Sequence, residues 1–287
     1  MNIKLSPIIS AKELLAIYQN DNLVIVDASG GPKARENYST KHLDKALFAD
    51  INKELANVKP NAAEGGRHPL PTAEQFSQAL GRLGITPGSH VVVYDDMGGA
   101  NAAARLWWML RAIGHSKVQV LDGGLLAAEK AGLVTSSKME IPGKVAPYPV
   151  GMWQLPQADM QEVEKVAKDK NHIVIDVRDA KRYAGLTEPI DLIAGHIPGA
   201  VNVPFSDNLT ADGLFKSPKE LNEKYQAVFG NTPADRVIVH CGSGVTACHL
   251  LLAADYAGLE IPKLYVGSWS EWSRNNKEMV TADTARS

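Results

Sequence analysis

The sequence predicts an α/β fold of two tandem domains, each a mainly parallel sheet flanked by helices. Three observations predict it. Short apolar runs end abruptly in polar residues, helical patterns lie between them, and the arrangement recurs about 146 residues further on. In the first half the runs are Leu23-Val24-Ile25-Val26-Asp27, Val91-Val92-Val93-Tyr94-Asp95 and Val118-Gln119-Val120-Leu121-Asp122. Continuous apolar runs of this length suit strands covered on both faces. Residues 11–18, 72–83 and 102–113 place apolar side chains three or four apart, as helices with one buried face do. Thr72 with Gln75, just after Pro69 and Pro71, reads as a capping box that starts a helix. Strands alternating with helices imply a parallel sheet with crossover helices.

The second half repeats the first. Ile173-Val174-Ile175-Asp176 ends 149 positions after Asp27, Val237-Ile238-Val239-His240-Cys241 lies 146 after Val91 to Asp95, and Gly267 lies 144 after Gly123. A period this long means a duplicated domain and excludes a solenoid. Pro142, Pro147, Pro149 and Pro156, with Gly143 and Gly151, mark a stiff, extended linker. The predicted division is a first domain over 1–140, a linker over 141–156 and a second domain over 157–287.

Composition excludes several classes. The 287 residues carry 30 Lys and Arg against 32 Asp and Glu, a formal charge of −2, which argues against a nucleic-acid partner. Two cysteines cannot build a disulfide scaffold or a four-cysteine zinc site. No histidine spacing suggests a metal site. No apolar stretch approaches the length needed to span a bilayer, and residues 1–10 lack a signal-peptide pattern. A cytoplasmic protein with no membrane partner is expected.

The two halves differ at one place. After its central strand the first half carries Asp95-Asp96-Met97-Gly98-Gly99, and the second carries Cys241-Gly242-Ser243-Gly244-Val245-Thr246. A single chemical site, in the second domain, is expected. Cys241 ends a strand at the carboxyl edge of a parallel sheet, where α/β folds place ligands. A glycine loop and the start of a helix, about Val245 to Tyr256, follow it. Amides of residues 242 to 246 aimed at one point, and a helix N-terminus, favour an anionic sulfur there. Cys248, seven positions on, is expected to pack inside the helix. His240, which faces the opposite side of its strand, is expected to be structural. A cysteine phosphatase would need an Arg at the far end of the loop. Ala247 stands there, which argues against phosphoryl transfer.

The residues now on the page resemble the rhodanese family of sulfurtransferases in its tandem-domain form. The resemblance rests on Asp176-Val177-Arg178, on Gly195-His196-Ile197-Pro198-Gly199-Ala200-Val201-Asn202-Val203-Pro204 and on Gly267-Ser268-Trp269-Ser270-Glu271-Trp272. Tyr94-Asp95-Asp96 and Ala104-Arg105-Leu106-Trp107-Trp108 resemble the inactive first domain. The loop from Cys241 to Thr246 resembles the 3-mercaptopyruvate-type members, whereas thiosulfate-type members tend to carry Arg and Lys there. The resemblance implies two rhodanese-like domains and transfer of a sulfane sulfur through a persulfide on Cys241. The donor would be a small molecule and the acceptor a thiol, such as thioredoxin, or cyanide. No organic cofactor would be needed.

It also implies roles for other residues. Gly242, Gly244, Val245 and Thr246 would supply the amide cradle. Arg178 and Arg182 would bind the donor's carboxylate. Ser243, with His42 from the first domain, would relay a proton, whereas His196 is expected to be structural. The sequence departs from the 3-mercaptopyruvate-type pattern in one place. After Glu188-Pro189, where that pattern carries another Arg, it has Ile190 and Asp191. The alternatives are a thiosulfate:cyanide sulfurtransferase and a non-catalytic binding module of the same fold.

Overall fold

Each apolar run becomes a strand, and the intervening sequence wraps it in helices. The computed structural model describes residues 5–143 and 145–281. The chain forms two compact units. The first comprises Met1–Ala56, Pro71–Gln154 and Thr210–Phe215, and the second Asn57–Leu70, Leu155–Leu209 and Lys216–Ser287.

The first unit runs β1 (Ile8–Ile9), α1 (Ala11–Ile17), β2 (Leu23–Asp27), α2 (Ala34–Thr40), β3 (His42–Leu43), β4 (Leu47–Phe48), α3 (Ala73–Arg82), β5 (His90–Tyr94), α4 (Ala103–Ala112), β6 (Val118–Leu121), α5 (Gly124–Lys130) and β7 (Thr135–Ser136). Five strands form a parallel sheet in the order β1-β6-β5-β2-β4, and β3 pairs antiparallel with β7. Thr72 caps α3 with the expected box: its hydroxyl accepts from the Gln75 amide and the Gln75 side chain returns to the Thr72 amide.

The second unit runs β8 (Gln157–Ala158), α6 (Met160–Val166), β9 (Ile173–Asp176), α7 (Ala180–Tyr183), β10 (Val201–Asn202), α8 (Pro218–Phe229), β11 (Val237–His240), α9 (Ala247–Tyr256), β12 (Lys263–Tyr265) and α10 (Ser268–Trp272). Its sheet is parallel in the order β8-β12-β11-β9-β10. Strand for strand this is the order of the first unit, so the sequence repeat is a repeat of topology. In the second unit the middle strand is fully buried, in the first it is buried but for His90, and the helix that follows, α9 or α4, is buried along almost its whole length. A helix apolar all round is what an interior helix requires.

The division of the chain differs from a cut after residue 140. Residues 57–70 pack as part of the second unit and residues 210–215 as part of the first. The predicted linker is also not free. Gln154 N–H donates to Ala112 O (2.7 Å), Tyr148 is buried, and Trp153 lies against Phe76 and Trp108. Its stiffness comes from packing on the first unit as well as from proline. Residues 1–4, 144 and 282–287, inside the predicted limits, lie outside the described residues.

Candidate active site

Cys241 follows β11, the middle strand of its sheet, at the carboxyl edge. Three bonds fix the turn behind it. Cys241 N–H donates to Ser268 Oγ (3.2 Å), Trp269 N–H to Cys241 O (3.0 Å), and Ser270 N–H to Gly242 O (2.9 Å). The segment Gly267 to Trp272 therefore clamps the loop through α10. Gly244 has φ +71°, and a Cβ there would lie 2.4 Å from Val266 O, so no larger residue fits. With the carbonyls tied back, the N–H groups of Gly242, Ser243, Val245 and Thr246 engage no acceptor among the described residues. α9 begins at Ala247, so its N-terminus closes the loop. Cys241 is 2 % exposed.

The first unit shows what such a loop holds. Asp95 occupies the matching position. Its Oδ1 accepts from the amides of Met97 (2.9 Å) and Gly99 (2.8 Å), and its Oδ2 from those of Asn101 (2.9 Å) and Ala103 (3.0 Å). Four backbone donors converge on one carboxylate ahead of α4. Burial raises Asp95 to about 6, against those hydrogen bonds, so it is anionic at neutral pH.

Ser243 has a histidine partner, but not the expected one. His68 Nδ1 lies 2.8 Å from Ser243 Oγ, a bond in which either atom can carry the proton. His68 arrives on residues 57–70, which α10 also anchors. Gly65 N–H donates to Glu271 Oε1 (2.9 Å), Arg67 N–H to Ser270 Oγ (3.0 Å), and Asn275 Nδ2 to Ala63 O (2.9 Å). His42 is instead fully buried in the first unit. Its Nδ1 donates to Tyr38 O (2.6 Å) and its ring stacks on Tyr38 at 3.9 Å. His196 does the same with Tyr183: Nδ1 donates to its carbonyl (2.7 Å) and the rings stack at 3.8 Å. The two histidines are twins with one structural job, which corrects the assignment of His42 to the proton relay.

Arg178 also takes a different place. Its side chain is 1 % exposed. Nε and Nη2 fork onto Asp176 (2.9 and 2.6 Å to Oδ2), Nη2 reaches Gly195 O (2.6 Å), Nη1 reaches Glu188 (3.1 Å), and the group lies 4.8 Å over the Trp269 ring. A guanidinium so fully used cannot also bind a donor. Burial alone would raise Asp176, but His240 and Arg178 outweigh it and hold the carboxyl low. His240 is buried with its Nδ1 near Cys241 O, and burial pushes it down, which fits a structural role. Cys248 is buried in α9 with Sγ 3.4 Å from Gly244 O, and neither cysteine is in a disulfide.

Arg182 does reach the loop, together with Arg67, which the sequence did not single out. A Cβ placed on Gly242 would lie 2.9 Å from Arg67 Nη2 and 3.4 Å from Arg182 Nη2. Two guanidiniums thus stand against the residue that follows Cys241. Arg182 forks onto Glu188 (Nε 3.1 Å, Nη2 2.7 Å). Burial would raise Glu188, yet the hydrogen bonds and charge of Arg182 hold it below the usual range. No helix among the described residues is long and apolar enough to cross a membrane.

Two parallel sheets of one strand order, each followed after its middle strand by a loop rich in backbone amides, define a tandem α/β protein with a cysteine at one of the two matching positions. The rhodanese-like domain matches residues 10–131 and again residues 159–275, and the chain belongs to the rhodanese family as an enzyme of the sulfurtransferase type. A probable 3-mercaptopyruvate sulfurtransferase of Pseudomonas aeruginosa is 38% identical over 284 residues, which is 95% of this chain and 97% of that protein. A thiosulfate sulfurtransferase of Rattus norvegicus is 37% identical over 88% of this chain and 86% of its own. Among solved structures, SseA from Escherichia coli, described as a 3-mercaptopyruvate sulfotransferase, is 30% identical with a TM-score of 0.72. That match covers 93% of this chain and all of that one (100%).

Proposed function

We propose that this sulfurtransferase takes a sulfane sulfur from 3-mercaptopyruvate and passes it to a thiol acceptor through a persulfide on Cys241. Arg182 and Arg67, whose guanidiniums stand beside Gly242, attract the donor's carboxylate. The Cys241 thiolate attacks the donor sulfur. The C–S bond breaks, its electron pair leaves with pyruvate as an enolate, and the sulfur stays on Cys241. The proton released as the persulfide ionises returns through Ser243 and His68 to the enolate carbon. Amides of Gly242, Ser243, Gly244, Val245 and Thr246 and the α9 N-terminus stabilise the charge that develops on sulfur. A thiol acceptor, such as thioredoxin, then attacks the outer sulfur and regenerates the thiolate. Two half-reactions through one covalent intermediate give ping-pong kinetics. The scheme needs no organic cofactor. Two cysteines, neither in a disulfide, support a reducing, cytoplasmic setting.

The observation that carries the choice of donor is the Ser243–His68 pair. A keto acid leaves as a carbanion equivalent that must be protonated, whereas thiosulfate leaves as sulfite and needs no proton. The second reading, thiosulfate as main donor, is favoured by the arginines beside Gly242, which also suit a dianion. Steady-state kcat/KM with the two donors decides. A clear preference for 3-mercaptopyruvate is expected, and an equal or higher value for thiosulfate overturns the choice.

A further inference from the structure

The surroundings of Cys241 hold more than arginine. The Asp191 side chain has no exposed surface, and it sits among three guanidiniums. Arg67 Nε and Arg274 Nη1 each lie 3.1 Å from Oδ1, while Arg67 Nη2 and Arg182 Nη2 lie 3.4 Å from Oδ2. The same Oδ2 is 3.5 Å from the position a Cβ would take on Gly242. A fixed carboxylate thus stands where it partly neutralises the groups that would receive a donor.

The charges can be counted. Arg178 and Asp176 form a closed, buried pair. That leaves Arg67, Arg182 and Arg274 against Glu188 and Asp191, one positive charge in excess. The three arginine side chains are only 16 to 25 % exposed, so water and salt screen them weakly. That excess offsets the Cys241 thiolate, and a donor with a single carboxylate adds the least further negative charge. A dianion would bring one more negative charge into these poorly screened surroundings.

We propose that Asp191 is a specificity-determining residue that lowers the charge beside Cys241 by one unit, favouring a singly charged sulfur donor over a doubly charged one. The donor part rests on the sulfurtransferase reading above, and the charge part does not. Removing the Asp191 charge while keeping its size raises the excess to two, and the balance shifts toward the dianion.

Two readouts separate the parts. The first is the rate of Cys241 alkylation by iodoacetate relative to iodoacetamide, near-isosteres that differ by one charge, followed by peptide mass. Asp191→Asn is expected to raise that ratio about fivefold, the scale of one partly screened unit charge at this range. Asp191→Glu keeps the charge and stays near wild type. Arg274→Gln removes a positive charge and lowers the ratio, which gives a reading of opposite sign even if Asp191→Asn fails to fold. The second is kcat/KM for thiosulfate relative to 3-mercaptopyruvate, expected to rise by a similar factor in Asp191→Asn. Unchanged alkylation ratios in the asparagine and glutamine variants overturn the proposal. A raised alkylation ratio with an unchanged donor ratio overturns its donor part. A wild-type protein that turns over neither donor sinks the functional reading, while the alkylation ratios still judge Asp191.

Discussion

Ser243 and His68 are 2.8 Å apart and one loop residue from the cysteine, so a proton can move where an enolate must collect one. With His68→Asn, kcat for 3-mercaptopyruvate is expected to fall at least about 100-fold, the usual worth of general acid–base help. Turnover of thiosulfate should change little. His42→Asn should lower stability and leave the donor ratio alone, because His42 serves only Tyr38. Equal losses on both donors for His68→Asn would contradict the relay. Cys241, Ser243 and Arg182 were legible because each sits where a strand or its following turn meets the sheet edge. His68 and Arg67 were not. They lie in a stretch with no periodic pattern, tied to the site by bonds to residues 124 to 206 positions away. The one signal was Gly66-Arg67-His68-Pro69, two chemistry-bearing residues held between turn formers. Arg178 misled for another reason: its partner Asp176 is two positions before it, and that proximity pulls the guanidinium inward.

The element that organises the site is a short one. α10 spans five residues, yet its first turn holds the backbone of Cys241 and Gly242 while Ser270 and Glu271 hold residues 65 and 67. The C-terminal motif was readable as a signature, but its task needed the fold, since the bonds cross 27 or more positions. The counterpart loop after β5 carries its own prediction. Asp95 is raised to about 6 by burial, so the folded chain binds its proton more tightly than the unfolded one. The stability this adds is complete below the ordinary carboxylate range and is lost as pH rises through about 6. The unfolding free energy of wild type minus that of Asp95→Asn should therefore fall between about pH 4 and pH 6, by up to about 3 kcal/mol. A value that stays constant or rises over that range contradicts it.

At the scale of the whole molecule the duplication was plain in the sequence, because central strands buried on both faces leave continuous apolar runs. The short outer strands β4 and β10, two residues each, left no such trace. Nor could residues 57–70 be assigned by position, since they interrupt the first unit in sequence and pack with the second. Hydrogen exchange tests that assignment. Leu251→Ala in α9 and Leu106→Ala in α4 remove fully buried side chains, at a cost of about 2–5 kcal/mol each. Leu251→Ala should speed exchange of the Asn57, Gly65 and Arg67 amides, and Leu106→Ala should not. The reverse pattern would return the segment to the first unit.

The central claim is that Cys241 carries the sulfur, and intact mass tests it most directly. After incubation with 3-mercaptopyruvate and removal of small molecules, the wild-type chain should gain one sulfur atom. The gain should map to the Cys241 peptide, vanish in Cys241→Ser and disappear on addition of a thiol acceptor. A wild-type chain that gains no sulfur from 3-mercaptopyruvate or thiosulfate, or a gain that survives in Cys241→Ser, would contradict the account.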